Sequence, residues 1–218
     1  MFRVMLWGQW KWSRLVIALG SVAAFTLPVL SVRGTASVDQ FPVSPAEFLG
    51  RIGAWGTLYP VLAATLGLLV AMAAWAPDHR GRHVHALSLP IPRWRYALYR
   101  FAAGLALLSA PLLALLVGSL LASATAAPPA GIHAYPVALT IRFALALLIA
   151  FAVIFAVSGG TARTAGIILG VIAAVIVVQV IASVASIDLD LVNRLQTIFI
   201  GWAGPFAVFN GRWMLLDV

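Results

Sequence analysis

LYRFAAGLALLSAPLLALLVGSLLASA, residues 98–124, is the stretch that decides the fold. After Arg100 no charged side chain occurs until Arg142. A helix rises about 1.5 Å per residue, so about 20 apolar residues cross the ~30 Å hydrocarbon core of a bilayer. The stretch is long enough to cross, and it is not alone. Apolar runs of similar length fall at about 15–32, 52–76, 137–157 and 162–186. Pro60 sits in the second and predicts a kink. A sixth and weaker run, about 197–216, is interrupted by Gly201, Gly204, Pro205, Asn210 and Gly211 and carries Arg212. It reads as a short span, a re-entrant hairpin or the approach to a further span. The expected fold is all-α: a polytopic integral membrane protein of five to six transmembrane helices.

Composition agrees. Of 218 residues 63% are hydrophobic and 9% charged, with a mean hydropathy of +1.04. Soluble domains are about one quarter charged, so a soluble enzyme or a nucleic-acid-binding domain is excluded. The net charge of +8 and the pI of about 11.3 do not argue for nucleic acid, because the basic residues stand in short clusters between apolar runs. Six spans would use about 120 residues, leaving no room for a soluble catalytic domain. The chain has no cysteine, which excludes disulfides, thiolate metal sites and cysteine nucleophiles. Its only lysine, Lys11, lies in Gly8-Gln9-Trp10-Lys11-Trp12, which is not the Gly-x4-Gly-Lys-Ser/Thr of a phosphate-binding loop.

Residues 1–14 combine Arg3, Lys11 and Arg14 with Trp7, Trp10 and Trp12. Tryptophan favours the headgroup level and basic side chains reach lipid phosphates. The segment is expected to be an interfacial helix rather than a cleaved signal, followed by a single transmembrane domain over 15–218. Lys and Arg in short loops set the orientation. Arg3, Lys11, Arg14, Arg80, Arg82, Arg93, Arg95, Arg100 and Arg163 fall on one side, against Arg33, Arg51 and Arg194 on the other. This places the N-terminus and the 77–97 loop in the cytoplasm, in a membrane of the bacterial plasma (inner) type. Small residues recur every four positions in the third run, at Ala102, Ala106, Ala110, Ala114, Gly118 and Ala122, and Gly166 and Gly170 form a Gly-x3-Gly in the fifth. Such stripes let helices approach closely in lipid, within one chain or between two.

The 77–97 loop reads PDHRGRHVHALSLPIPRWRYA. Ala86, Leu87 and Leu89 give it a short apolar face, Pro90 and Pro92 stop any helix there, and Arg93, Trp94, Arg95 and Tyr96 follow. A proline-terminated amphipathic helix at the membrane surface suits docking on a protein partner.

This layout resembles that of the ATP-binding-cassette (ABC) type 2 permeases, membrane subunits of one class of exporter. In that family an interfacial helix precedes span one. Between spans two and three come an acidic residue, a Gly, a short helix ending in Leu-x-x-Pro-Ile or Ser-Pro-Ile, and a Tyr. Asp78, Gly81, Leu87, Pro90, Ile91 and Tyr96 stand at those places. Gly204-Pro205-Phe206 is similar to the Pro-Phe element between spans five and six. The similarity covers most of the chain in layout, on loose motifs. It departs from the pattern in lacking the acidic residue that follows the loop Gly, and in leaving little chain for a last span after Phe206. The resemblance implies that about 82–90 is a coupling helix seated in an ABC ATPase subunit, with Asp78, Gly81, Arg82, Leu87, Leu89, Pro90, Ile91 and Arg93 at the docking surface. It further implies a homodimer or heterodimer of permeases, no cofactor in this chain, ATP and Mg held by the partner, and a hydrophobic or amphipathic cargo moved without covalent chemistry. The length is also similar to that of the haem-exporter subunit of cytochrome c maturation, although no motif selects that cargo. The alternative from another class is a structural or assembly subunit of a larger membrane complex. A third, a membrane enzyme or a metal or haem carrier, would rest on the loop histidines.

Few residues invite chemistry. His79, His83 and His85 form His-x3-His-x-His, a spacing that can hold metal. Only His133 remains, on the opposite side, so a cytoplasmic loop without metal is the expectation. Arg142 lies about five residues into the fourth run, where it would snorkel, pair with Asp188 or Asp190, or touch cargo. Gln179, deep in the fifth, would hydrogen-bond between helices or line the pathway. No Ser/His/Asp or paired-carboxylate arrangement suggests catalysis.

Overall fold

A computed structural model describes residues 2–36, 45–80, 92–126, 131–160, 191–201 and 204–217, with scattered positions between 167 and 181 that are helical. The elements in chain order are α1 (Phe2–Ala36), α2 (Pro45–Gly56), α3 (Leu58–Arg80), α4 (Arg93–Thr125), β1 (His133–Ala134), α5 (Pro136–Ser158), α6 (Leu191–Ile200), a 3-10 turn (Ala207–Phe209) and β2 (Leu216–Asp217). Four stretches are long and apolar enough to cross a membrane: Phe2–Gly34, Leu49–Asp78, Arg93–Thr125 and Pro136–Ser158. The chain is a multi-pass membrane protein. Most of the fifth expected span, 162–186, lies outside the described residues.

The four helices alternate in direction. Gln9 meets Arg100 and Phe25 meets Gly118, so α1 and α4 run parallel. Gly20 faces Leu66, and Asp78 at the end of α3 meets Arg100 beside Gln9, so α3 runs against α1. Gly67 packs on Ala150 while Trp75 bonds Phe155, so α5 runs with α3. One end of the bundle, here the near end, therefore gathers the starts of α1 and α4 and the ends of α3 and α5. The far end holds α2, β1, β2 and the 3-10 turn.

The N-terminal segment departs from expectation. Residues 2–14 are not a separate helix but the first turns of α1, which runs unbroken for 35 residues. That is about 52 Å at 1.5 Å per residue, well beyond the ~30 Å core of a bilayer. No proline interrupts it before Pro28, and the hydroxyl of Ser13 is satisfied within the helix by the carbonyl of Gln9 at 2.8 Å. Helix α4 is nearly as long, at 33 residues, and lies alongside.

In the second span the break falls before the proline. Thr57 separates α2 from α3, and Pro60 is the third residue of α3. A proline cannot donate to the carbonyl four residues back, here that of Gly56, and its ring crowds that group. Near a helix start no such donor is required, so the chain restarts at Leu58.

The small-residue stripe of α4 divides. Ala102, Ala106 and Ala110 face outward, whereas Gly118 and Ala122 are buried. A repeat of four residues gains about 40° per step on a helix of 3.6 residues per turn, so the stripe winds from the outer face to the inner one. At Gly118 the α1 backbone comes so close that a Cβ would overlap the Phe25 carbonyl. Gly67 does the same for α3 and α5, a Cβ there falling 2.8 Å from the Phe151 nitrogen. A Cβ at Gly170 would meet nothing within 4 Å among the described residues. Between these contacts lies an aromatic cluster of Trp75, Phe101, Phe151 and Phe155, with neighbouring ring centroids 5.0 to 5.5 Å apart.

Among the described residues, the 197–216 run holds no helix long enough to cross a membrane. Helix α6 ends at Ile200, the chain turns through Gly204 and Phe206, and residues 212–217 run extended along the far end. There β2 pairs antiparallel with β1, His133 opposite Asp217 and Ala134 opposite Leu216. This short ladder qualifies the all-α expectation, and it buries Trp213, Leu215 and Leu216.

Candidate functional site

The most developed polar constellation sits at the near end, where the 81–91 segment leaves and re-enters the bundle. Asp78, in the last turn of α3, is 1% exposed; Arg100, two turns into α4, is 8% exposed. Arg100 Nη1 lies 2.9 Å from Asp78 Oδ2 and Nη2 lies 3.2 Å from Oδ1, a two-toothed ion pair. The Tyr96 hydroxyl donates to the same carboxylate, 3.0 Å from each oxygen. Arg100 Nη1 also donates to the Ala74 carbonyl at 2.5 Å.

Why these groups meet follows from local geometry. Tyr96 and Arg100 are four apart and share one face of α4, and Ala74 and Asp78 do so on α3. Two such pairs on neighbouring helices form one patch. Arg100 Cζ lies 5.2 Å from the Trp75 ring centroid and 4.8 Å from that of Tyr96, within cation–π range of both. The Trp75 indole N–H donates to the Phe155 carbonyl at 3.0 Å, which brings in α5. The Gln9 side chain donates to the Arg100 carbonyl at 3.0 Å, which brings in α1. All four long helices meet here. Asp78 accepts from two partners, Arg100 and Tyr96, and the arrangement ties α3 to α4.

Arg142 makes the second constellation, at the far end. Its Nε donates to the Val208 carbonyl at 3.2 Å, and its Nη1 and Nη2 donate to the carbonyls of Arg212 and Asn210. Its Cζ lies 4.6 Å from the Trp213 ring centroid. One guanidinium, with five donors in a rigid fork, thus gathers three carbonyls of the C-terminal segment. Expected to snorkel, to pair with Asp188 or Asp190, or to touch cargo, Arg142 is seen to bind backbone; both aspartates lie outside the described residues.

Of the expected docking residues, Asp78 is turned inward into the ion pair and Arg93 is exposed at the start of α4. Gly81, Arg82, Leu87, Leu89, Pro90 and Ile91 lie outside the described residues, as do His83 and His85, while His79 falls in the last turn of α3. No group of three metal-ligating side chains occurs among the described residues. Gln179 is half-buried in the helical stretch between 167 and 181.

Arg100, Trp75 and Gln9 were not singled out from sequence, although Arg100 was counted as a loop-edge charge. A signal was present: between Glu47 and Asp188 the chain has one acid, Asp78, among eight arginines. A lone carboxylate at the end of an apolar helix needs a cation within reach.

Comparison of the chain with protein-family models, with curated proteins and with solved structures finds no match in any of the three. Functional inference therefore rests on the residues themselves.

Proposed function

We propose that the chain is the membrane-spanning permease subunit of an ABC exporter, coupled to a separate ATPase subunit that holds ATP and Mg. The observation that carries the reading is the tie at the root of the 81–91 segment. Its entry (Asp78) and its exit (Tyr96, Arg100) are bound to each other and, through Gln9 and Trp75, to α1 and α5. A push on that segment would be delivered to all four helices as rigid-body motion rather than absorbed as local bending. The basic, tryptophan-rich near end, with Arg3, Lys11, Arg14, Arg93 and Arg95, supports a cytoplasmic placement, with the first turns of α1 reaching the interface. The outward Ala102, Ala106 and Ala110 offer a close-approach face for a second permease. The translocated substrate would be hydrophobic or amphipathic.

The test is purification of the tagged chain from its native membrane, with identification of whatever co-purifies. An ATPase with a phosphate-binding loop, lost when Leu87 and Leu89 are replaced by Asp, is the expected result. A complex with other membrane subunits and no ATPase would favour the second reading, a structural or assembly subunit. One observation leans that way: the pocket between α4 and α5 is only about 110 Å³, too small for cargo within the described bundle.

A further inference from the structure

At the far end, away from the Asp78 tie, a groove of about 720 Å³ opens between α2 and the C-terminal segment, lined among others by Gly50, Gly53, Pro60, Phe209, Asn210 and Arg212. That volume is typical of a small-molecule site. Three features give it a chemical preference. The Arg212 side chain is exposed and makes no hydrogen bond or ion pair among the described residues, while its backbone is fixed by Arg142. The Asn210 side-chain oxygen is occupied by the Gly211 N–H at 2.9 Å, so its amide presents donors. Among the described residues no carboxylate lines the groove; Asp217 lines a smaller adjoining pocket that Arg212 also lines. The polar end therefore offers positive charge and donors, and Arg212 makes no ion pair with Asp217 or any other described residue.

The rest of the groove is apolar and opens towards lipid. It begins where the second apolar span begins, at Leu49. Past Pro60, residues Val61, Thr65, Leu68 and Met72 are exposed on one face of α3, spaced i, i+4, i+7 and i+11. That stripe runs from the groove along the lipid-facing side of the bundle. A cationic head site joined to an apolar track has the shape of an amphiphile's partner.

We propose that this groove binds a phospholipid of net negative headgroup from the leaflet at the far end, its phosphate on Arg212 and Asn210 and an acyl chain along the Val61–Met72 face of α3. The inference does not depend on the transport reading.

The experiment compares phosphatidylglycerol with phosphatidylcholine, added to the full chain in non-ionic detergent and read by native mass spectrometry and thermal unfolding. Phosphatidylglycerol is expected to be retained and to raise the unfolding temperature, and phosphatidylcholine, whose choline cation neutralises the headgroup and is repelled by Arg212, to do so about tenfold less. Arg212→Gln should erase the difference and Arg212→Lys should restore part of it. Gly53→Leu should do the same as Arg212→Gln by filling the groove. A Cβ at Gly53 meets only the Met214 methyl, at 3.9 Å, so this variant decides the matter if Arg212→Gln folds poorly. Equal effects of the two lipids, or a preference that survives both Arg212→Gln and Gly53→Leu, would overturn the proposal. Glycerol 3-phosphate alone should have no effect; if it matches the lipid, the site takes free phosphate and the lipid assignment is wrong.

Discussion

Replacing Asp78 by leucine removes one side of an ion pair that is almost wholly shielded from water. Arg100 would keep the Ala74 carbonyl and its two aromatic neighbours but lose its counter-charge, and the Tyr96 hydroxyl would lose its acceptor. Breaking a buried pair from one side costs about 3–5 kcal/mol, because the remaining charge is stranded. At about 2–4 °C per kcal/mol for a chain of this size, the unfolding temperature in detergent should fall by about 6–20 °C. Arg100→Met alone should cost a similar amount. The triple change Asp78→Leu, Tyr96→Phe, Arg100→Met strands nothing, since the Ala74 carbonyl remains inside α3 and can accept from residue 78. Replacing a whole buried pair with apolar groups is often neutral or stabilising, so the triple variant should recover most of the lost temperature. Differential scanning fluorimetry on the eight tryptophans is a direct assay. If the single variants shift the midpoint by less than about 2 °C, or the triple variant is no more stable than the singles, the groups do not act as a buried pair and the near-end tie is wrongly drawn. Transport supplies a second readout: under the proposed function, the triple variant should be stable yet poorly coupled.

Gly118→Leu should separate α1 from α4 and lower stability by at least the ~1–3 kcal/mol typical of overpacking, whereas Ala106→Leu, on the outward part of the same stripe, should leave monomer stability unchanged by scanning fluorimetry. Arg142→Met should release the carbonyls of Val208, Asn210 and Arg212. Because the chain has no native cysteine, a probe placed by Leu216→Cys, at a fully buried position, reports the opening. Its maleimide labelling should rise about tenfold or more when these charge-assisted bonds are lost. Single cysteines at Trp94 and at Arg212 should react from opposite sides of the membrane, with an impermeant reagent on intact cells labelling only position 212; labelling of position 94 would invert the proposed orientation.

Much of the bundle was legible because lipid imposes a length rule on apolar runs. The runs at 98–124 and 137–157 correspond to Arg93–Thr125 and Pro136–Ser158, and Pro60 marked a real break, displaced to Thr57. Hydropathy fails where apolar residues are buried for another reason. The 197–216 run carries Trp213, Leu215 and Leu216, which are as apolar as a span. They are buried because Arg142, 66 to 70 residues earlier in the chain, collects the carbonyls around them. No local pattern contains that information. The small-residue stripe marked a close approach at Gly118, and it divides between two faces because a period of four does not stay on one helical face. Asp78 was placed on the right loop but assigned to its surface, because its partner Arg100 had been counted only as a topogenic charge.

Arg100, which is buried, and Arg142, which is half-buried, do different work, and the bilayer explains why. Apolar side chains gain nothing by leaving lipid tails for each other, so packing alone discriminates weakly between one helix register and the next. Polar groups discriminate sharply. A slip of one turn between α3 and α4 is about 5.4 Å. It would carry Arg100 away from Asp78 and the Ala74 carbonyl together, and it would break the Tyr96 bond in the same step. The pair therefore fixes which turn of α4 faces which turn of α3, even where its net contribution to stability is near zero. Gln9 extends the same register to α1 through the Arg100 carbonyl. Among the described residues, the partners of Arg142 are backbone carbonyls of a segment that lies across the far end. Loosening it should free that segment while leaving the helix register intact. Loosening Arg100 should disturb the register and leave the C-terminal segment in place.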